Sequence, residues 1–101
     1  MSIAKKYLKT KSICRTTFRI SAEEAAGASA AFLVGEFNDW STGDTPMKRL
    51  KDGSFKAEVD LPCGNAFQFR YLLDGRWDND GNADRYCFSE FGNCENSVVE
   101  V

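Results

Sequence analysis

Apolar and polar side chains alternate most regularly between residues 67 and 73. Side chains two positions apart lie on the same face of a strand, so this spacing predicts a strand with one apolar face. Arg70 falls on the opposite face. The apolar positions are Phe67, Phe69, Tyr71 and Leu73. We expect these four side chains to build the core and Arg70 to point toward solvent.

Further strands are predicted on both sides of this stretch. Alternation indicates strands over 14–20 and 54–61, and a continuous apolar run over 30–34 is typical of a central strand. Residues 46–50 read as a short edge-type segment, and residues 97–101 as a last strand. About seven short strands, with turn signals roughly every 8–12 residues, predict an all-β fold, namely an antiparallel β-sandwich.

Two Asp-Gly pairs mark hairpin turns between predicted strands. Gly tolerates a positive φ angle and Asp tolerates the left-handed region, so Asp74-Gly75 and Asp52-Gly53 are strong turn signals. Trp77 follows the first of these turns, and we expect the turn to set its position. Gly35 interrupts the predicted central strand, which indicates a bulge or a close approach of another backbone segment.

Three segments lack a strand pattern. Residues 1–12 are polar and are predicted to form a basic N-terminal arm, which leaves 13–101 as the sandwich domain. Residues 21–30 are predicted to form a loop with room for one short turn, because a Ser and a Glu three residues later fit a capping box. Residues 78–92 are predicted to form a long polar loop.

Length and composition point to one globular domain. The chain has 101 residues, of which 43% are hydrophobic and 13% aromatic, which excludes a disordered protein. Net charge is −2, and residues 1–19 hold six basic residues and no acid. The rest of the chain is too acidic for a nucleic-acid footprint. No apolar run is long enough for a signal peptide or a membrane span, so we expect a cytoplasmic protein with no membrane partner.

No metal or cofactor is expected. The four cysteines lack the two close pairs of a zinc site, and the chain has no histidine. An even number of cysteines leaves two disulfides open, but a cytosolic location favours free thiols. Asp78-Asn79-Asp80 begins a run of oxygens that resembles a calcium loop, yet Ala83 and Ser89 occupy positions where that loop needs Gly and Glu.

Catalysis is not expected either. Without histidine the chain lacks the usual Ser-His-Asp and Cys-His machinery, and no nucleotide-binding glycine motif is present. Carboxylates are plentiful, but a glycosidase needs two of them flanking a deep cleft, for which a sandwich of this size has little room.

Trp40 and Trp77 are the two tryptophans of the chain, and each lies in or beside a turn-rich stretch. An indole ring is a flat apolar plate with one N–H donor, which suits the apolar C–H face of a sugar ring. Arg, Asn, Asp or Glu side chains can hydrogen-bond the sugar hydroxyls. The residues therefore fit a carbohydrate-binding surface that includes Arg70, although a tryptophan that caps the core fits the same pattern.

The motifs that extend this interpretation are Phe32-Leu33-Val34-Gly35-Glu36-Phe37-Asn38-Asp39-Trp40, Pro46-Met47, Asp52-Gly53-Ser54-Phe55, Phe69-Arg70-Tyr71-Leu72-Leu73-Asp74-Gly75-Arg76-Trp77, and Phe91-Gly92 with Asn96-Ser97-Val98-Val99. In this order they resemble the glycogen-binding type of carbohydrate-binding module. That module is the immunoglobulin-like "early set" domain of isoamylase, of glycogen-branching enzymes and of the β subunit of AMP-activated protein kinase. The resemblance covers residues 14–101, nearly the whole chain, and implies an immunoglobulin-like sandwich.

The resemblance implies non-catalytic binding of an α-1,4-glucan such as glycogen or a maltooligosaccharide. Two tryptophans of the family motifs stack on glucose rings and match Trp40 and Trp77. Arg70 stands where the family usually has a Lys that hydrogen-bonds sugar hydroxyls. Phe91 matches a large apolar residue that packs on the sugar, and Asn93 falls where a small polar contact is common.

Glu95 departs from the kinase-subunit pattern, which has an Asn on the ligand at this position. An ionised Glu accepts hydrogen bonds from hydroxyls but cannot donate them. This departure supports an alternative function, an early-set protein-interaction domain that has lost sugar binding. In either case a protein partner, such as an enzyme of glycogen metabolism, is compatible with the resemblance.

Overall fold

A computed structural model of the chain describes residues 1–88 and 95–101. No helix within those residues is long and apolar enough to cross a lipid bilayer. The elements are β1 (Ser2–Tyr7), β2 (Ile13–Ile20), α1 (Ala22–Ala25), β3 (Ala31–Gly35), a 3₁₀ turn (Glu36–Asn38), β4 (Lys48–Arg49), β5 (Phe55–Pro62), β6 (Ala66–Leu73), β7 (Arg76–Asp78), β8 (Arg85–Phe88) and β9 (Glu95–Glu100).

The strands form two antiparallel sheets, which confirms the predicted all-β sandwich. One sheet has the order β1-β2-β5-β4, and the other has the order β3-β6-β9-β8 with β7 paired to β6. Side chains from both sheets meet in one core. Phe18 of β2 packs edge-on against Phe69 of β6, with ring centroids 5.0 Å apart.

β6 carries the most regular alternation in the sequence, and its apolar face is the centre of the core. Phe69, Tyr71 and Leu73 are buried, and Phe67 is partly buried against the same cluster. Arg70 is on the other face of the strand and is partly exposed. The predicted division of this strand into a core face and an outer face is therefore confirmed.

The N-terminal segment differs from the predicted arm. β1 pairs with β2 along its length, from Ser2 opposite Arg19 to Tyr7 opposite Cys14, so residues 2–7 form an edge strand of the sandwich. Lys5 donates to the carboxylate of Asp84 at 2.6 Å. Edge strands commonly carry lysines because charge discourages pairing with other chains. That charge is what hides the strand pattern in the sequence.

The predicted loop over 78–92 also contains more strand than expected. β7 extends to Asp78, and β8 pairs with β9 from Arg85 opposite Val98 to Phe88 opposite Glu95. A four-residue strand is too short to show a clear period of two, and the Asp- and Gly-rich residues before it favour a turn.

The sequence allowed one short turn within residues 21–30, and the structure has the short helix α1 there. The Ser21 hydroxyl accepts a hydrogen bond from the backbone N–H of Glu24 at 3.2 Å, and the Glu24 carboxylate accepts from the backbone N–H of Ser21 at 3.1 Å. These reciprocal contacts are the capping box indicated by the sequence. The helix ends after one turn at Ala26, which adopts a left-handed conformation.

Candidate functional site

The Asp74-Gly75 turn joins β6 to β7 and places Trp77 on the outer side of the sheet. Asp74 and Gly75 have φ angles of 48° and 82°, and two positive φ angles are what a tight two-residue hairpin of type I′ needs. β7 then pairs with β6 so that Trp77 lies opposite Leu72. The predicted hairpin is confirmed, and the backbone ladder fixes the Cα of Trp77.

The Asp74 side chain also anchors the turn to the segment before β3. Its two carboxylate oxygens accept from the backbone N–H groups of Ser29 and Ala30, each at 2.9 Å. These two donors hold the pKa of Asp74 below its usual range, with a smaller effect from Arg76. The sequence identified Asp74 as a turn residue, but this contact bridges 45 positions and has no local signal.

Arg70 and Trp77 lie together on the outer face of the second sheet. Leu72, the partner of Trp77, is two residues from Arg70 and shares its side of β6. The guanidinium carbon of Arg70 lies 5.6 Å from the centroid of the Trp77 ring, which is within the range of a cation–π contact. Trp77 nevertheless keeps 43% of its surface exposed. An aromatic plate and a cation therefore lie in contact on this face of the sheet.

Asp80 anchors the chain after β7 to the core. It is fully buried, and its carboxylate accepts from the Tyr71 hydroxyl at 2.8 Å. Its backbone N–H donates to the hydroxyl of Ser97 at 2.9 Å. Burial, with a smaller contribution from Asp80, raises the pKa of Tyr71 well above its usual range. Because β7 lies between Asp74 and Asp80, Trp77 is held from both sides.

Trp40 lies in the loop that follows β3, where side-chain hydrogen bonds and not strand pairing fix the backbone. The Asn38 side chain accepts from the backbone N–H of Gly35 at 3.1 Å, and donates to the Leu33 carbonyl at 2.9 Å and to the Thr45 hydroxyl at 3.0 Å. The backbone N–H of Trp40 donates to the Gly35 carbonyl at 2.8 Å. The Asn38 side chain therefore connects the end of β3 to the far end of the loop at Thr45.

The close approach predicted at Gly35 is confirmed. A Cβ atom at this position would lie 2.7 Å from the carbonyl oxygen of Gln68 and 2.8 Å from the Cβ of Phe69. Beyond Gly35 the chain turns sharply, and Asp39 and Trp40 have φ angles of 55° and 57°. A bulky residue rarely adopts this left-handed conformation, and such strain is typical of functional sites. Trp40 is 39% exposed.

β6 relates the two tryptophans to each other. Gly35 lies opposite Phe69 on one edge of β6, and Trp77 lies opposite Leu72 on its other edge. Gly35 and Trp77 are three residues apart along the strand direction and two strands apart across the sheet. Their Cα atoms are therefore separated by roughly 14 Å. The two tryptophan-bearing segments therefore flank the same part of β6, the part that carries Arg70.

The other predicted site residues are placed differently. Glu95 is exposed at the start of β9, and strand alternation gives it the face of Ser97, opposite to that of Asn96. The structure thus does not group Glu95 with Arg70 and Trp77, and its contact with a ligand stays a prediction. Phe91 and Asn93 lie outside the described residues.

Two amide side chains that the sequence interpretation did not assign to the site lie on the face of Arg70. Gln68 is two residues before Arg70 on β6, and its partner across the ladder is Val98. Asn96, two residues before Val98, donates from its Nδ2 to the Oε1 of Gln68 at 3.0 Å. Gln68 was visible in the sequence as an outward position of the central strand, but only the strand register brings Asn96 to it.

The surface combines an aromatic plate, a cation and amides, which are groups that bind a neutral, hydroxyl-rich ligand. Within residues 1–88 and 95–101, no three Cys, Asp or Glu side chains are arranged to hold a metal ion. The oxygens of the calcium-like run serve the fold, since Asp80 accepts from Tyr71 and from the backbone N–H of Asn82.

Comparison with known proteins agrees with this chemistry. A family model described as the glycogen recognition site of AMP-activated protein kinase matches residues 19–101. The 5'-AMP-activated protein kinase subunits beta-2 of Mus musculus, Rattus norvegicus and Homo sapiens are each 39% identical to the chain over 54 residues. The match covers 54% of this chain and 19% of each subunit, so the chain spans about a fifth of the length of these relatives.

Proposed function

This chain belongs to the family of the glycogen recognition site of AMP-activated protein kinase, and from that premise we propose that it binds α-1,4-linked glucan on the outer face of the β3-β6-β9-β8 sheet. Trp77 and Trp40 are the stacking plates, and Arg70 donates hydrogen bonds to sugar hydroxyls. The observation that carries the proposal is the contact of the Arg70 guanidinium with the half-exposed ring of Trp77, 5.6 Å from its centroid.

The physical basis is the amphipathic nature of a glucose ring. Its C–H face is apolar and can cover an indole, while its rim of hydroxyls needs donors and acceptors. A guanidinium carries its N–H donors in one plane, which suits Arg70, in contact with the indole, for bonding sugar hydroxyls. The anchored Asp74-Gly75 turn and the Asn38 clamp support this assignment, because a site that is rigid before binding loses less entropy when the ligand binds.

The proposal includes no catalytic step. The proposed contacts bind hydroxyls and activate neither water nor a leaving group. We also propose a cytoplasmic location, which the free thiols of Cys14, Cys63 and Cys87 support.

The test is a titration with maltoheptaose followed by tryptophan fluorescence, together with electrophoresis in gels that contain glycogen. We expect the wild-type protein to be retarded by glycogen and its emission to change on titration. Trp77→Ala and Trp40→Ala should each weaken binding by about tenfold or more, because buried aromatic contacts dominate binding energies.

Tyr7→Ala is the matched control, since Tyr7 is an aromatic side chain that is 55% exposed on the other sheet. This variant should bind as tightly as the wild type. A wild-type protein that migrates unchanged through glycogen and ignores maltoheptaose would overturn the proposal.

A protein-interaction domain is the second candidate. Phe88 on the edge strand β8 is 68% exposed, more than either tryptophan, and an exposed aromatic side chain on an edge strand favours contact with another chain. A partner, for example an enzyme of glycogen metabolism, that is retained by the wild type and by Trp77→Ala but lost on Phe88→Ser would support this candidate.

A further inference from the structure

We propose that Gln68 is an additional hydroxyl-binding residue of the glucan site and extends it along β6, so that the protein favours longer maltooligosaccharides over short ones. This inference rests on the proposed function. It concerns a side chain that neither the family motifs nor the two tryptophans single out.

The position of Gln68 follows from the strand register. Gln68, Arg70 and Leu72 alternate with the buried Phe69 and Tyr71, so all three lie on the outer side of β6. Trp77 stands opposite Leu72. Gln68 is therefore four residues along β6 from the row of Trp77, a separation of about 13 Å. Arg70 lies midway between them, which makes the three side chains one continuous line.

The orientation of the Gln68 amide follows from its hydrogen bonds. The Nδ2 of Asn96 donates to its Oε1 at 3.0 Å, which leaves the Nε2 group directed away from Asn96. Within the described part of the chain, the hydrogen bonds of Gln68 use its Oε1 and its backbone N–H but not Nε2. This amide group therefore offers two donors from a partly exposed side chain.

Two neighbours hold this arrangement in place. Asn96 is buried, with 7% of its surface exposed, so the group that orients Gln68 is itself fixed. The Glu36 carboxylate accepts from the backbone N–H of Gln68 at 2.6 Å and ties β6 to the start of the loop that carries Trp40. A donor that is oriented before binding discriminates between ligands better than one on a mobile side chain.

A chain-length series tests the inference. Gln68→Glu keeps the acceptor for Asn96 and the length of the side chain but removes both N–H donors, and Gln68→Ala removes the amide altogether. We expect both variants to bind maltoheptaose about threefold to tenfold more weakly, the effect of one or two lost hydrogen bonds. Binding of maltose, whose two glucose rings are shorter than the distance of about 13 Å between the rows of Trp77 and Gln68, should change by less than about twofold.

Thr17→Ala is the matched control, because Thr17 is a partly exposed residue in the middle of a strand on the outer face of the other sheet. Three results would overturn the inference: unchanged affinity for maltoheptaose, an equal loss for both sugars, or wild-type affinity in Gln68→Glu. If the wild type binds neither sugar, the proposed function fails as well, whereas normal wild-type binding with unaffected Gln68 variants overturns this inference alone.

Discussion

Trp77 and Trp40 have similar exposure, 43% and 39%, but the chain holds them in opposite ways. Trp77 stands on a strand, and its backbone is part of the regular ladder between β6 and β7. Trp40 stands in a loop, in a left-handed conformation that a bulky residue rarely adopts. The first depends on backbone pairing and a tight turn, and the second depends on the side chain of Asn38.

The two segments therefore differ in the kind of change that can disturb them. A hairpin is set by local sequence and tolerates changes elsewhere. A left-handed loop persists only where surrounding contacts outweigh its strain. The two segments meet at β6, which pairs with β3 on one edge and with β7 on the other. Perturbing one segment should therefore leave the other largely intact.

The largest effect is expected from Asp80→Ala, which removes the anchor on the Trp77 side. Tyr71 is fully buried, and the change leaves its hydroxyl without the carboxylate acceptor. We expect a loss of about 2–4 kcal/mol in the free energy of unfolding, measured with denaturant. In a Trp40→Phe background, the emission of Trp77 should shift toward that of an exposed indole.

Tyr71→Phe is the companion variant and should cost about 1–3 kcal/mol. Because the two residues share one hydrogen bond, the double variant should lose less than the sum of the single losses. Strict additivity of the two losses would show that Tyr71 and Asp80 act independently, which would contradict the anchoring role of Asp80.

An intermediate effect is expected from Asn38→Ala on the Trp40 side. The change removes three partly buried hydrogen bonds and should cost about 1–3 kcal/mol of unfolding free energy. In a Trp77→Phe background the emission of Trp40 should change, whereas in a Trp40→Phe background that of Trp77 should not. An equal response of both indoles would contradict the separation of the two segments.

The smallest effect is expected from Asp74→Asn, and it should depend on pH. The pKa of Asp74 is lowered by the backbone N–H groups of Ser29 and Ala30. The carboxylate therefore stabilises the fold above its unfolded-state pKa of about 3.9, and this contribution is lost as the pH falls through the lower folded-state value.

We accordingly expect Asp74→Asn to melt at a lower temperature than the wild type at about pH 6, with a gap that narrows toward about pH 3. Melting curves of both proteins across this range provide the measurement. A gap that stays constant with pH would mean that the charge of Asp74 does not strengthen its two hydrogen bonds.

The core strand, the turns and the close approach at Gly35 could be predicted because their causes are local. Alternation along β6 needs only side chains two apart, and a type I′ turn needs only two residues that tolerate positive φ. The same rules failed for β1 and β8, where charge or short length hides the period. β1 also precedes residue 19, at which the family match begins.

The candidate site likewise has features that the sequence indicates and contacts that only the tertiary structure sets. Arg70 and the two tryptophans could be nominated from the sequence, because their residue types suit a sugar and the resemblance to the glycogen-binding module matches them to its ligand residues. Three contacts were decided by the tertiary structure alone. Asp74 accepts from the backbone N–H groups of Ser29 and Ala30. Asp80 accepts from the Tyr71 hydroxyl, and Asn96 donates to Gln68. These contacts join residues from 9 to 45 positions apart. Neither composition nor spacing specifies them, because the pairing of strands sets which distant residues become neighbours.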